Sequence, residues 1–373
     1  MARGSIVKHV AKNGTVTYRL RVVTYYDASG RPVQKMRSFK TKRDADAMAA
    51  KWVTDVVRGT AVDPSKQTVG QYLSQWLATS VAARVRASTL DSYTRLMRAS
   101  ILPTIGEVPV QKLNAAQVQR LYTDLLAAGL SHRTVRYVHT VLKMAMKQAV
   151  RWRLVARNVV DDVDPPCAVR PQIAAWDQVD SCRFLAVAAL DPLAALWRVA
   201  LATGMRVGEL RGLRWSDIDL DAVRVQVRQN AVTVGGQVLL QEPKTNAGHR
   251  NISINPDTVG ALRAWRAQRP ALIGRAEREA ELVFPGDDGA PISLDAVTYR
   301  FQSLVRRAEV RRISFHGMRH THATLLLAAG ANIKVVSERL GHSSIQITLD
   351  TYAHVLPEME QQAAIAIGAM LAG

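Results

Sequence analysis

The hydrophobic period of this chain changes near residue 40, and that change sets what it can fold into. Residues 16–26, VTYRLRVVTYY, are rich in β-branched and aromatic side chains, and VQKMRSF at 33–39 resumes the extended pattern after the turn-forming DASGRP at 27–32. Two such runs around turn residues predict a hairpin. Thr41 then predicts the cap of a helix running to about Val57, with Gly59 as its stop. From Thr68 apolar residues recur three and four apart. Caps at Thr68, Ser88, Asn114 and Ser131 predict four helices, the last running to about Trp152, with the proline-bounded PTIGEVPV as a loop.

The acidic, proline-rich DDVDPPCAVRP at 161–171 predicts a linker between domains. After it come helices, then three short extended pieces (VRVQV at 223–227, QVLLQ at 237–241, NISI at 251–254), then helices again. The predicted fold class is multidomain and mainly α with small β. An N-terminal three-stranded sheet plus helix precedes a helical bundle, and a mostly helical domain with one small antiparallel sheet follows. The corresponding boundaries are 1–62, 66–165 and 172–373.

Composition narrows the partners. The chain has 373 residues, 48% hydrophobic and 22% charged, which fits globular protein and excludes wholesale disorder. Its net charge is +19. Residues 1–65 hold 13 Lys and Arg against 5 Asp and Glu, residues 66–165 hold 14 against 6, and the remainder 23 against 20. A surplus gathered in the first half is the footprint of a phosphate polymer. A membrane surface fits less well: no apolar run reaches the ~18 residues of a spanning helix, and the opening MARGSIVKHVAKNG lacks a signal-peptide core. Cys167 and Cys182 have neither metal nor redox spacing and read as reduced thiols of a cytoplasmic protein. DNA is the expected partner, met by Arg19, Arg21, Lys35 and Arg37 on one basic sheet face. In the bundle Arg133, Arg136, Lys143 and Lys147 fall off the apolar stripe.

The last 208 residues carry the candidate chemistry. In ALATGMRVGELRGLRW, Arg206 stands where the chain re-enters a helix, able to aim a guanidinium fork at a phosphate or to pair structurally with Glu209. Lys244, in QEPKTNAGHRNISI, lies in a turn between strand candidates, free either to protonate a leaving oxygen or to sit in solvent. In HGMRHTHAT, His316 and Arg319 share a helical face. The three histidines there make a poor zinc site, with no HExxH glutamate and no cysteine partner, so no metal is expected. His320 reads as solvated helix surface and His322 as core. In LGHSSIQITLDTYAH, His342 precedes Tyr352 by ten residues. Tyr25, Tyr26, Tyr93, Tyr122 and Tyr137 have no such cations around them and read as core or DNA-contacting aromatics.

The order Arg206, Lys244, His316-x-x-Arg319, Gly341-His342, Tyr352 resembles the tyrosine recombinase (phage integrase) family. The resemblance covers the catalytic half by motif and the preceding half by pattern. It implies an arm-type DNA-binding domain at 1–62, a core-binding domain at 66–165 and a catalytic domain at 172–373. It also implies site-specific DNA recombination through a 3′-phosphotyrosyl intermediate, integrating and excising a phage or mobile element. In that scheme Tyr352 is the nucleophile, Arg206 and Arg319 clamp the phosphate with His342, His316 takes the tyrosine proton, Lys244 protonates the leaving 5′-oxygen, and Glu209 supports Arg206. The sequence departs from the family at Asn246-Ala-Gly-His249-Arg250, where members often have a Ser-Arg pair. No cofactor is implied. The implied partners are double-stranded attachment sites, three further copies in a homotetramer on DNA, and accessory proteins of the DNA-bending and excision-factor kind. The tail after residue 358 would pack into a neighbouring subunit. Two rivals, a strand-relaxing enzyme of similar chemistry and a non-enzymatic DNA-bending protein, account for fewer of these residues.

Overall fold

Three antiparallel strands, β1 (Gly4–Val10), β2 (Val16–Tyr26) and β3 (Pro32–Phe39), form a sheet with β2 in the centre. Helix α1 (Lys42–Val57) follows, its first turn closed by Thr41, whose Oγ1 accepts from the Asp44 N–H at 3.1 Å. Leu20, Val22 and Ala45 are fully buried, which places α1 over the face that carries Leu20 and Val22. This is a computed structural model describing residues 4–10, 14–26, 31–57, 62, 64–167, 174–243, 246–268, 281–352, 365, 367–368 and 370–371. The expected turn at 27–30, the stop at Gly59, the linker beyond 167, Lys244 and most of the tail after 358 lie outside the described residues. The chain divides into two compact units, Met1–Arg170 and Pro171–Gly373.

The expectation of one basic sheet face does not hold. Cross-strand partners project to the same face. Arg19 pairs with Val7 and Ser38, and Arg21 with Ser5 and Met36, whereas Arg37 pairs with Leu20 and Lys35 with Val22. Arg19 and Arg21 therefore stand on the open face between exposed Val7 and Met36. Arg37 belongs to the face that α1 covers, at its β3 edge. There the Arg37 guanidinium sits 5.5 Å from the centre of the Phe39 ring. The cause is register, because a shift of one residue moves every side chain of a strand to the other face.

The rest of the first unit is helical. α2 (Val69–Trp76) starts in a capping box between Thr68 and Gln71, α5 (Ala115–Ala127) in one between Asn114 and Gln117, and α6 (His132–Arg151) under the Ser131 hydroxyl. Ser88 does not cap. Arg86 is extended (φ −66°, ψ 152°) and α3 (Ala87–Leu96) begins just after it, so Ser88 is already helical. Part of the expected loop is helical too. Pro103 lies in the first turn of α4 (Leu102–Ile105), where its missing N–H leaves no bond unmade. Single π-turns, Leu77–Val81 and Met97–Ile101, continue α2 and α3. Tyr72, Leu73, Leu121, Val138 and Leu142 are fully buried between α2, α5 and α6. Exposed Arg133, Arg136, Lys143, Lys147 and Arg151 line the other side of α6, spaced three, seven, four and four apart. At 1.5 Å per residue this cationic stripe is about 27 Å long.

The second unit opens with α7 (Gln178–Ala188), α8 (Ala194–Thr203) and α9 (Val207–Arg211). Strands β4 (Ile218–Asp219), β5 (Arg224–Val227), β6 (Asn230–Val234), β7 (Gln237–Gln241) and β8 (Arg250–Ser253) follow. Helices α10 (Pro256–Ala267), α11 (Leu294–Arg307), α12 (Phe315–Ala328), α13 (Ile333–Leu340) and α14 (Ile345–Tyr352) complete it. The described strands here make two sheets rather than the one expected. β4, β5 and β8 form a three-stranded sheet, and β6 and β7 a hairpin turning on Gly235 and Gly236, both at positive φ (56° and 83°). β7 therefore pairs with β6, and β8 with β5, so the two make no hairpin with each other.

An aromatic cluster of Trp176, Phe184, Trp197, Phe301 and Phe315 joins α7, α8, α11 and α12, with ring centres 4.8 to 6.1 Å apart. The Trp176 backbone N–H donates to Thr321 on α12, and its indole donates to the Arg311 carbonyl at 2.7 Å. Phe301 is fully buried at the cluster's centre. Phe301→Ala is expected to cost about 3–5 kcal/mol of stability, read as a lower urea midpoint in equilibrium unfolding.

Candidate active site

Helix α8 stops because Gly204 turns left-handed (φ 63°), a conformation that favours glycine. A side chain there would also meet the His322 ring at 2.7 Å and Leu340 at 2.9 Å. Three long side chains take up the carbonyls this ending frees. His322 bonds Leu201, Arg339 donates to Ala202 at 2.9 Å, and Arg319 donates to Gly204 at 2.9 Å. Arg339 also donates to His322 Nε2 at 3.0 Å, so His322 is neutral, protonated on Nδ1 and donating to the Leu201 carbonyl. Burial pulls its pKa down to about 3, with the Arg339 charge adding to the effect. His322 is core, as expected.

The chain leaves Gly204 through buried Met205 and sets Arg206 at the start of α9 in extended conformation. Glu209, one turn on, reaches back. Its carboxylate accepts the Arg206 backbone N–H and the Arg206 guanidinium, both at 2.8 Å. The same carboxylate accepts two bonds from Arg250, at 2.8 and 3.1 Å. Glu209 is 4% exposed. Burial alone would raise its pKa, but the Arg250 hydrogen bonds and charge, together with Arg206, outweigh that and lower it. The Arg206 side chain stays 43% exposed, available to an incoming anion.

Arg250 and Arg319 both hold the end of α13. Arg250 Nε donates to the Arg339 carbonyl at 2.8 Å, and Arg319 donates to the Leu340 carbonyl at 2.6 Å. Gly341 then turns left-handed (φ 68°) against the Ala247 carbonyl, which a side chain would meet at 2.7 Å. The backbone reversal delivers His342. Its Nδ1 bonds the hydroxyl of Thr348 on α14 at 2.8 Å, and Thr348 is fully buried.

Tyr352 ends α14 with 1% of its surface exposed. Its hydroxyl lies 2.9 Å from Nδ1 of His320, not against His316. His320 is thus no solvated surface residue. The Tyr352 hydroxyl thus meets the second of two histidines that share one face of α12. His316 sits one turn earlier, its ring 4.8 Å from that of His320 and at 89° to it. Arg319 and Arg206 lie within electrostatic reach of each other, and the Arg319 charge reaches Tyr352. Arg206, Arg319, Arg250 and His320 all bear on His342. Five of the six expected residues, Arg206, His316, Arg319, His342 and Tyr352, are therefore gathered, and Lys244 lies outside the described residues.

Burial and neighbouring cations explain the protonation states. The Arg319 guanidinium, buried and facing Arg206, is brought down to about 9 and stays charged at neutral pH. Burial, then the arginines, takes His342 down to about 4. Burial, then His316 and Arg319, takes His320 to about 4, and His316 is lowered for similar reasons. Burial pushes Tyr352 up to about 12 against the opposing pull of Arg319. Two fixed cations, neutral imidazoles and a phenol suit an anion that gains charge during reaction.

Residues 185–359 match the phage integrase family, and residues 68–126 match the N-terminal SAM-like domain of phage integrases. A XerC-like tyrosine recombinase of Caldanaerobacter subterraneus subsp. tengcongensis is 28% identical over 94% of this chain and 96% of its own. The Tn1549 transposon integrase, solved in complex with transposon right-end DNA, superposes with a TM-score of 0.67 at 26% identity. That superposition covers 79% of this chain and 99% of that one. The chain belongs to the phage integrase family of tyrosine recombinases. It is a site-specific DNA recombinase. The lambda integrase, solved as a tetramer bound to a Holliday junction, shares the fold with a TM-score of 0.56 at 16% identity, over 90% of this chain and 95% of that one.

Three residues of the recombinase's site escape a reading of the sequence. Arg250 has a faint signal, the Asn246–Arg250 departure from the family pattern, but its link to Glu209 spans 41 residues. Thr348 and His320 carry none, since both acquire partners only when α14 docks. His320, His322 and His342 are held below the ordinary histidine value, so the unfolded chain binds protons the fold refuses as pH falls below about 6.5. The lowered Glu209 works in the same direction at more acidic pH. The expected outcome is a thermal midpoint that drops steadily from about pH 6.5 toward pH 4 without DNA, measured by differential scanning calorimetry, with a shallower drop for His322→Gln.

Proposed function

We propose that this recombinase integrates and excises a mobile DNA element by cutting and rejoining strands through a 3′-phosphotyrosyl bond to Tyr352. The observation that carries the reading is the convergence of Tyr352 with Arg206, Arg319 and His342 in one unit. In this scheme the scissile phosphate enters beside the exposed edge of Arg206. Arg206 and Arg319 bind its non-bridging oxygens, where charge accumulates in the transition state. Thr348 donates to His342 Nδ1 and so fixes the tautomer whose Nε2–H also faces the phosphate. His316, on the same face of α12 as Arg319, adds a donor. The Tyr352 oxygen bonds to phosphorus as the bond to the 5′-oxygen breaks. Lys244, as the resemblance implies, gives that oxygen its proton. The covalent bond conserves the energy of the broken backbone, so rejoining is the reverse attack by a 5′-hydroxyl.

The same reading assigns DNA contacts to the first unit. Residues 1–62 bind arm-type sites through Arg19 and Arg21 on the open sheet face. Residues 66–165 bind core sites through the α6 stripe of Arg133, Arg136, Lys143 and Lys147. Four copies assemble on two attachment sites, with DNA-bending and excision partners directing the outcome and the segment after 358 joining neighbours. The lambda integrase tetramer on a Holliday junction supports that assembly by analogy of fold. In this reading the protein acts in the cytoplasm, associated with the nucleoid.

A nicked suicide substrate that traps the covalent complex tests the chemistry. Tyr352→Phe should form no protein–DNA adduct, and Arg206→Ala should form it about 100-fold more slowly or worse. An adduct mapped by mass spectrometry to any other residue would overturn the assignment. The stripe is tested by salt titration. Arg136→Ala and Lys147→Ala should each reduce the slope of log K against log salt by about 1, uniformly across core sequences.

A further inference from the structure

We propose that His320, rather than His316, takes the proton from Tyr352 as its oxygen attacks the scissile phosphate. The inference rests on the reading of Tyr352 as nucleophile and adds the group that activates it. Its basis is geometric. Among the described residues, the hydrogen bond made by the Tyr352 hydroxyl is to His320 Nδ1 at 2.9 Å, within reach of direct transfer. His320 follows Arg319 in the chain, so the proton acceptor and one phosphate clamp move as one piece of α12. His316 and His320 are four apart on that helix, with ring centres 4.8 Å apart, and His316 feels the charges of Arg319 and Arg206.

The resting state is silent for electrostatic reasons. His320 faces His316 and Arg319 from its own helix, Tyr352 from α14, and His342 from the turn that precedes it. Cations and burial disfavour an imidazolium there, and burial disfavours a phenolate, so the proton stays on Tyr352 and the phenol donates to Nδ1. A scissile phosphate seated between the guanidiniums changes the balance. Its negative charge offsets their field at His320, and the phenol grows more acidic as its oxygen bonds to phosphorus. In the step itself the Tyr352 O–H bond breaks and the Tyr352 oxygen–phosphorus bond forms. The phosphorus–5′-oxygen bond breaks, and the phenol proton moves to Nδ1, leaving His320 as imidazolium. The 5′-oxygen receives a separate proton from Lys244. On rejoining, His320 returns its proton to the departing Tyr352 oxygen. The nucleophile is thereby activated only where DNA is in place.

The test is single-turnover formation of the covalent complex on the suicide substrate, using the full chain. His320→Ala should be slower by about 100-fold or more while its DNA affinity stays near wild type. Added imidazole should restore a large part of the lost rate to His320→Ala and none to His316→Ala. His320→Asn, which keeps a hydrogen-bonding side chain but cannot hold the proton, should be as slow as His320→Ala. The proposal is overturned if His320→Ala reacts within about threefold of wild type, or if His320→Asn regains the wild-type rate and thereby shows a positioning role. It is equally overturned if imidazole rescues His316→Ala instead. Should His320→Ala fail to fold, His320→Asn alone decides by the same rate criterion. Tyr352→Phe in the same assay separates the two readings. An adduct from that variant removes the nucleophile assignment, whereas a dead Tyr352→Phe beside a fast His320→Ala removes only the proton transfer.

Discussion

One buried carboxylate organises this site. Glu209 accepts from the Arg206 backbone and side chain and from Arg250 on another element. Two guanidiniums this close would repel each other, and a buried carboxylate alone would shed its charge by protonation. Together they hold a net positive charge of one beside the exposed edge of Arg206. Removing Glu209 would free Arg206 from its orientation and leave Arg250 buried without its charge partner, the costly way to break a buried pair. Arg250 passes the constraint on, because its Nε holds the end of α13 and so helps set where Gly341 reverses the chain toward His342.

A second layer of order comes from helix ends. The loop bearing Arg206 is fixed by side chains of α12 and α13 bonded to the last carbonyls of α8. Arg319 does two jobs at once. It ties the ends of α8 and α13 together through Gly204 and Leu340, and it remains charged although 3% exposed. The hydrogen bonds that satisfy its buried N–H groups are the same ones that hold the fork in place. The geometry of the site and the packing of the fold are therefore inseparable here, and the left-handed glycines Gly204 and Gly341 end the two helices that Arg319 ties together.

Much of this was legible in the sequence, and the limits have physical reasons. Helix caps at Thr68, Asn114 and Ser131 are local chemistry and could be read directly. So could the order of Arg206, Arg319, His342 and Tyr352, because their succession along the chain resembles that of the phage integrase family. Strand parity was not legible. Arg37 and Arg19 look equivalent along their own strands, and only the register across the turn reveals that they point apart. The β6–β7 hairpin was signalled by Gly235-Gly236 and by the β-branched NAVTV run before it, but which strands share a sheet is set by pairing that a single strand does not encode. His320 shows the deepest limit. Its role depends on how α14 docks on α12, a tertiary fact that no periodicity encodes.

Helix α14 is only eight residues long, and its polar ties to the site run through Thr348 and Tyr352. A helix so short has almost no stability of its own. Its place is therefore set by the two imidazoles it meets, so the position of the Tyr352 hydroxyl follows that of α12 through His320 and that of the Gly341 turn through His342.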